Sequence, residues 1–318
     1  MQYIDAKLPH IINAKDKHYL FMRFIIKKKL NGSAFSEHPP TPKMNQINRV
    51  NGIKSEISKF LNDEDNLREL LIGTPDILDK LKNSFTTIPF KKSLKKLINY
   101  DSWLKNDDKA TYRFYNAYHL AENLDIPTCV YCNRIYTKTV ITSFGNKVTR
   151  PTFDHWFPKS EYPLLSLSFF NLIPSCFICN SGVKGSTYFS LATHFHPYYK
   201  NLNEEFKYTF SYVHKDYNKF SFKILTMNKF STDSVKAFEL EEIFKAHEDE
   251  IEDLRKIKDA YSEDYIDMLE SNILGGINLD RDEVYRLAFG VHFQEAKFDR
   301  RPLSKMKKDI LMELGIIN

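Results

Sequence analysis

All four cysteines of this chain fall between residues 129 and 179, as two Cys-x-x-Cys pairs, Cys129/Cys132 and Cys176/Cys179. A fold that honours this pattern has to bring two short turns, each carrying two sulfurs, to a common purpose. Secreted disulfide scaffolds are shorter and denser in cysteine. A redox dithiol would explain one pair and leave the other over. The spacing therefore points to two knuckles closing a tetrahedral site around structural Zn2+.

The chain has 318 residues, more than one minimal domain and enough for two or three compact units. Asp5 and Lys7 interrupt any leader-like apolar run, and the stretch from Tyr19 to Ile26 is short and broken by Arg23. No membrane span is expected, and a cytoplasmic protein is. The net charge of +5 is uneven. Residues 1–115 hold 21 Lys/Arg against 13 Asp/Glu, whereas residues 201–318 hold 18 against 24. The basic part runs through the cysteine-rich segment, as a polyanion-binding surface would, although lysine-rich exteriors also serve solubility alone.

Residues 1–120 read as helical: Ile53, Ile57, Phe60 and Leu61, then Leu67, Leu70 and Leu71, then Ile77, Leu78 and Leu81 recur at helical spacing. Pro39, Pro40 and Pro42 mark a linker. Lys91, Lys92, Lys95 and Lys96 gather on one helical face, either solvated or turned to phosphate. In residues 121–200 the β-branched run from Tyr136 to Phe144, the turn signal Gly145-Asn146 and the run from Lys147 to Phe153 predict a hairpin, with a short helix from about Phe177. In residues 201–318 two strands are expected at Phe206–Val213 and Phe220–Leu225. Leu240, Phe244, His247, Ile251, Leu254, Tyr261, Tyr265 and Met268 then track a near-heptad stripe ending at Gly275-Gly276. That stripe predicts either a long arm over about residues 233–274 or two packed helices. A last helix should start near Pro302. The fold class is α+β, mostly helical.

Between the knuckles stands Asp154-His155-Trp156-Phe157-Pro158-Lys159, followed by Asn171, Asn180 and Lys184. Phosphodiester hydrolysis needs a deprotonated water, a cation on the phosphoryl oxygens and a frame that holds both. Histidine suits the proton transfer. Hard divalent ions prefer oxygen ligands, which Asp154 and Asn180 could supply.

The run Cys129-Val-Tyr-Cys132, Asp154-His155, Asn171-Leu-Ile-Pro-Ser-Cys176, Cys179-Asn180, Lys184 resembles the HNH endonucleases of ββα-metal fold, over about 60 residues. The resemblance implies a central zinc-stapled HNH domain between helical flanks. In it His155 is the general base, Asp154 and Asn180 are ligands of a catalytic Mg2+ or Mn2+, and Asn171 braces the loop and orients the base. It also implies 5′-phosphate and 3′-hydroxyl products, with DNA ahead of RNA as substrate. The wording around Asp154 further resembles the Septu-type HNH nucleases of bacterial anti-phage defence, in which the nuclease works beside an ATPase. Such a partner, or self-association, would use the acidic region 201–318.

Bland alternatives stand beside each assignment. Asp154-His155 can be a structural pair. Lys159 and Lys184 can be surface lysines rather than phosphate contacts. His196, and less so His194, can reach the site or simply close a loop. Trp156, Phe157, Tyr162, Phe169 and Phe170 can stack on bases or form core, and Arg300, Arg301, Lys305, Lys307 and Lys308 can touch phosphate or solvent. A non-catalytic zinc ribbon and a stand-alone restriction-type nuclease are the rival functions.

Overall fold

The computed structural model describes residues 1–105, 111–185, 187–216, 219–260, 265–269 and 279–317. Its first helix, α1 (Pro9–Asn31), starts with a proline whose missing N–H costs nothing in the first turn. Ile11, Ala14, His18, Met22 and Ile25, spaced by three or four, are its buried stripe. Gly32 ends the helix at φ +60°, and a Cβ there would lie 3.0 Å from Arg49 Cβ, so no larger residue fits without a shift. Against α1 pack α2 (Ser55–Asn62), α3 (Glu64–Ile72), α5 (Ile88–Leu97) and α7 (Ala117–Leu124), while α4 (Pro75–Leu81) packs on α3 and α6 (Tyr100–Leu104) on the turn at Thr111–Phe114. Asp63 caps α3 by accepting from Asn66 N–H at 2.9 Å, and Asn116 with His119 forms a capping box on α7. On α5, Lys92, Lys95 and Lys96 are exposed, while Lys91 donates to Ser160 O at 3.0 Å and so ties the helix to the loop after Pro158.

The central region departs from the expected hairpin. The turn at Gly145-Asn146 joins only β1 (Val140–Ile141) to β2 (Lys147–Thr149). The strand that carries Asp154 and His155, β3 (Thr152–His155), pairs instead with β4 (Leu172–Ser175), antiparallel, with Asp154 opposite Ile173 and His155 opposite Leu172. Pro151, which has no N–H to give a ladder, separates β2 from β3. Residues 172–175 are buried throughout, the signature of an interior strand rather than an alternating one. A π-helical turn, Ile178–Lys184, follows the second cysteine pair, close to where a short helix was expected.

Beyond it, β5 (Tyr208–Asp216) and β6 (Lys219–Thr226) form a two-stranded ribbon. Next come α8 (Lys229–Ala237), α9 (Leu240–Lys245), α10 (Glu248–Ala260), α11 (Tyr265–Met268), α12 (Arg281–Phe289) and α13 (Ser304–Glu313). The long arm does not form. Glu239 adopts φ +46°, which ends α8 and redirects the chain, and a second break at Ala246–His247 separates α9 from α10. Leu240, Phe244, Ile251 and Leu254 are buried in the chain's own core and offer no stripe to another helix. Tyr261 and Gly275-Gly276 lie outside the described residues. The last helix starts after Leu303 rather than at Pro302, because Leu303 sits at φ +62°. Overall the architecture is α+β and mainly helical, and among the described residues no helix is long and apolar enough to cross a membrane.

The C-terminal region closes over the first knuckle. Asn133, at φ +52°, donates through Nδ2 to Phe298 O at 2.9 Å and to Arg301 O at 3.2 Å, and its carbonyl accepts from Leu303 N–H at 2.7 Å. Tyr131 stacks on Phe238 of the segment after α8 at 4.1 Å. One hydrophobic cluster runs from Ile11 through Cys129 and Trp156 to Ile310. A chain ending near Lys200 should therefore expose Tyr131 and strip Asn133 of its partners at Phe298, Arg301 and Leu303, at about 1–3 kcal/mol for the lost polar contacts alone. It should be insoluble or melt far below the full chain. A soluble, zinc-loaded 1–200 chain with an unchanged melting temperature would contradict this packing.

Candidate functional site

Each cysteine pair sits on a turn whose backbone points inward. Cys129 N–H donates to Ile135 O at 3.1 Å and Asn133 N–H to Cys129 O at 2.8 Å. Arg134 N–H lies 3.5 Å from Cys132 Sγ, and Cys179 N–H 3.4 Å from Cys176 Sγ. The four buried sulfurs lie within 4.8 Å of one another, with Cys132 and Cys176 4.0 Å apart. Zinc–thiolate bonds of about 2.3 Å in a tetrahedron place sulfurs roughly 3.8 Å apart, so the donor set fits a metal ion such as zinc. Burial pushes the Cys129 thiol up and neighbouring sulfur pushes Cys179 up, while hydrogen bonds from neighbouring thiols hold Cys132 and Cys176 down. Four thiolates can coexist in so dry a place only around a cation.

Between the knuckles lies a buried network. Lys184, at the end of the π-helical turn, donates to Asp154 Oδ1 at 3.0 Å and to the His155 carbonyl at 2.8 Å, with its ammonium 5.1 Å above the Phe189 ring. Tyr131, inside the first cysteine pair, donates its hydroxyl to Asp154 Oδ2 at 2.6 Å. The side chains of Lys184 and Asp154 are only 1% and 3% exposed. Lys184 is thus neither a surface lysine nor a phosphate contact. Both oxygens of Asp154 are taken and sealed from solvent, so coordination of Mg2+ or Mn2+ by Asp154 does not fit this arrangement. Asn180 is half-buried on the π-helical turn, with its backbone bound to Cys176 O and Gly185 N–H.

His155 is 8% exposed, its ring 4.3 Å edge-on from Tyr100. Its Nε2 lies 2.9 Å from the carbonyl of Ser166. A carbonyl only accepts, so Nε2 carries the hydrogen and Nδ1 keeps the lone pair. Burial holds the imidazole neutral, with its pKa lowered to about 3. Ser166 belongs to a tight turn, Pro163–Leu167, in which three consecutive carbonyls each accept from a side chain. Asn171 Nδ2 bonds Leu165 O at 3.0 Å, His155 bonds Ser166 O, and His18 Nε2 bonds Leu167 O at 2.8 Å. Asn171, fully buried, also clasps Phe157 at both its N–H (2.7 Å) and its carbonyl (3.1 Å).

The other candidates separate. Lys159 pairs with Asp101 at 2.8 Å and lies 4.4 Å over the Tyr100 ring, exposed beside His155. His196 is buried against Trp156 at 4.7 Å and accepts from Tyr198 N–H, which makes it a loop-closing core residue. His194 stacks on Phe189 and bonds Thr193. Trp156, Phe157, Phe169 and Phe170 are core. Arg300, Lys305, Lys307 and Lys308 are spent on Asp125, Asp309, Glu250 and Glu295, and Arg301 on Gly290 O. Sequence reasoning missed His18, Tyr131, Tyr100 and Ser166. Only Tyr131, by lying between two ligand cysteines, carried a positional signal.

Comparison of the chain with protein-family models, curated proteins and solved structures finds no match in any of the three.

Two outcomes follow from this geometry. Removing one partner of a buried ion pair leaves the other charge stranded, so Lys184→Met should destabilise the fold by about 3–5 kcal/mol, and Lys184→Met with Asp154→Leu by less. Urea unfolding of the single and double variants checks this, and equal stability of Lys184→Met and the parent would defeat it. His18, His155 and His196 have folded pKa values lowered to about 4, 3 and 3 from the ordinary 6.5. The unfolded chain then takes up protons first, so stability is full above about pH 6.5 and falls as pH drops toward about 4, by up to about 1.4 kcal/mol per pH unit for each histidine. Urea midpoints at fixed free zinc should show this slope, reduced by one proton in His196→Phe. A flat profile across that window would exclude it.

Proposed function

We propose that the chain hydrolyses phosphodiester bonds in nucleic acid, DNA ahead of RNA, in a zinc-stapled site of HNH type with His155 as general base. The observation that carries this reading is the Nε2–H bond from His155 to the Ser166 carbonyl. It fixes a neutral imidazole with Nδ1 as the proton acceptor, the state a general base needs. A phosphate brought alongside would raise the depressed pKa of His155, because a nearby negative charge favours the imidazolium. Structural Zn2+ at Cys129, Cys132, Cys176 and Cys179 would hold the frame.

In this scheme His155 Nδ1 takes a proton from water, the hydroxide attacks phosphorus, and the 3′-oxygen leaves with a proton from solvent. Lys159, exposed beside Tyr100, is the side chain best placed to meet the phosphate. Asp154 serves here as the anchor of Lys184 and not as a metal ligand. The role of effector nuclease in anti-phage defence belongs to the Septu-type resemblance alone. An ATPase partner would have to meet the acidic exterior of residues 201–318, since the apolar stripe is buried.

The sealed Asp154 favours one second reading, in which the cysteine-held module binds nucleic acid or protein without cutting it. Nicking of supercoiled plasmid with Mg2+, with Mn2+ and with neither separates the two. Cleavage by the parent should drop roughly 100-fold or more in His155→Ala, at unchanged zinc content and nucleic-acid affinity. Undiminished cleavage by a folded His155→Ala protein would remove His155 from the mechanism. No cleavage by the parent under any condition would leave the binding module.

A further inference from the structure

We propose that His18, on helix α1, is a positioning residue for His155: it locks the Pro163–Leu167 turn so that the Ser166 carbonyl fixes the imidazole. The proposal rests on His155 as the general base.

Helix α1 carries a polar side chain where packing alone would take an apolar one. Its buried stripe is Ile11, Ala14, His18, Met22 and Ile25. A leucine at 18 would serve packing, whereas an imidazole there is costly unless both ring nitrogens find partners. Both do. Nε2 bonds Leu167 O at 2.8 Å, and Nδ1 lies 3.3 Å from the Tyr115 hydroxyl. The carbonyl can only accept, so His18 carries its hydrogen on Nε2 and takes the tyrosine hydrogen on Nδ1. The rings of Tyr115, Phe169 and Trp103, at 5.6, 5.8 and 6.5 Å, surround it and leave little room to turn. Full burial keeps it neutral in support of that tautomer.

What makes this more than a satisfied core histidine is the neighbour of its partner. Leu167 directly follows Ser166, the residue whose carbonyl holds His155, and Leu165 on the other side is held by Asn171. The two flanking carbonyls are pinned by side chains from outside the turn, and only then does the middle one present a fixed acceptor. Asn171 pins it from β4's approach, and His18 from the N-terminal helices, 149 residues from Leu167 in sequence. Without His18 the Leu167 carbonyl is buried and unpaired, and the turn is free to rotate toward another donor. His155 then loses its single acceptor and the preference for Nε2–H that the acceptor enforces.

The test reads the tautomer directly. In full-length protein labelled with 15N-histidine, imidazole nitrogen shifts report which nitrogen of His155 is protonated. The parent should show Nε2–H. His18→Met should show a mixture, with kcat for plasmid nicking lower by about tenfold or more, toward the roughly 100-fold that a misplacement of about 1 Å can cost, and with KM unchanged because His18 touches no substrate. His18→Gln, whose amide can still reach the carbonyl, should restore both. An unchanged His155 tautomer and kcat in zinc-loaded His18→Met would overturn the proposal. If His18→Met does not hold zinc, Tyr115→Phe decides in its place. It keeps the ring and loosens His18, so the His155 shifts should move, and unmoved shifts would likewise overturn the proposal. The tautomer readout needs no cleavage. If the chain proves not to be a nuclease, the link between His18 and His155 is still measured, and the two failures stay distinct.

Discussion

Four sulfurs held within 4.8 Å of one another, from turns 44 residues apart in sequence, set the terms for the centre of this molecule. The polar contacts of Asp154, beside His155, hang from the two knuckles. Tyr131 projects from the first and reaches Asp154. Lys184 ends the helical turn that leaves the second and reaches both Asp154 and the backbone of His155. Strands β3 and β4 run between, and β4 leads straight into Cys176. A cation binding the sulfurs would fix the approach of two donors, the Tyr131 hydroxyl and the Lys184 ammonium, to Asp154, and the cost of desolvating that carboxylate is offset only when both arrive.

The Asp154–Lys184 pair bears on chemistry as well as on folding. A carboxylate in this position could have been open to a hard cation. Here an ammonium group, a tyrosine hydroxyl and an apolar surround close it. The local positive charge is thus covalently part of the chain and points at the backbone, not at solvent. It leaves His155 with an Nδ1 that makes no hydrogen bond among the described residues, and Lys159 exposed nearby on Asp101.

The cysteine spacing was legible because metal geometry tolerates few alternatives. The bracing role of Asn171 came from the resemblance and not from local sequence; in the structure its amide clasps Phe157 and Leu165. Other features were hidden for physical reasons. Gly145-Asn146 is a strong local turn signal, yet the partner of β3 was decided by burial of residues 172–175, a long-range effect. Glu239 and Leu303 adopt left-handed backbone that glycine or asparagine would have announced. Leu240, Phe244, Ile251 and Leu254 of the heptad-like stripe are buried, but the turn at Glu239 and the break at Ala246–His247 fold them onto their own chain. His18 lies at an ordinary core spacing of α1, and nothing local distinguishes a histidine that packs from one that holds a carbonyl 149 residues away.

The clasp of Asn133 by Phe298, Arg301 and Leu303 joins positions 165 to 170 residues apart. Ribosomes add about 5–20 residues per second, so roughly 10–30 seconds pass between synthesis of the first cysteine pair and of the segment that covers it. During that interval the nascent chain can bring both cysteine pairs together and stack Phe238 on Tyr131, but it cannot clasp Asn133. Assembly of the centre is therefore timed by translation itself, with His155 framed early and the cover on the neighbouring knuckle delivered last.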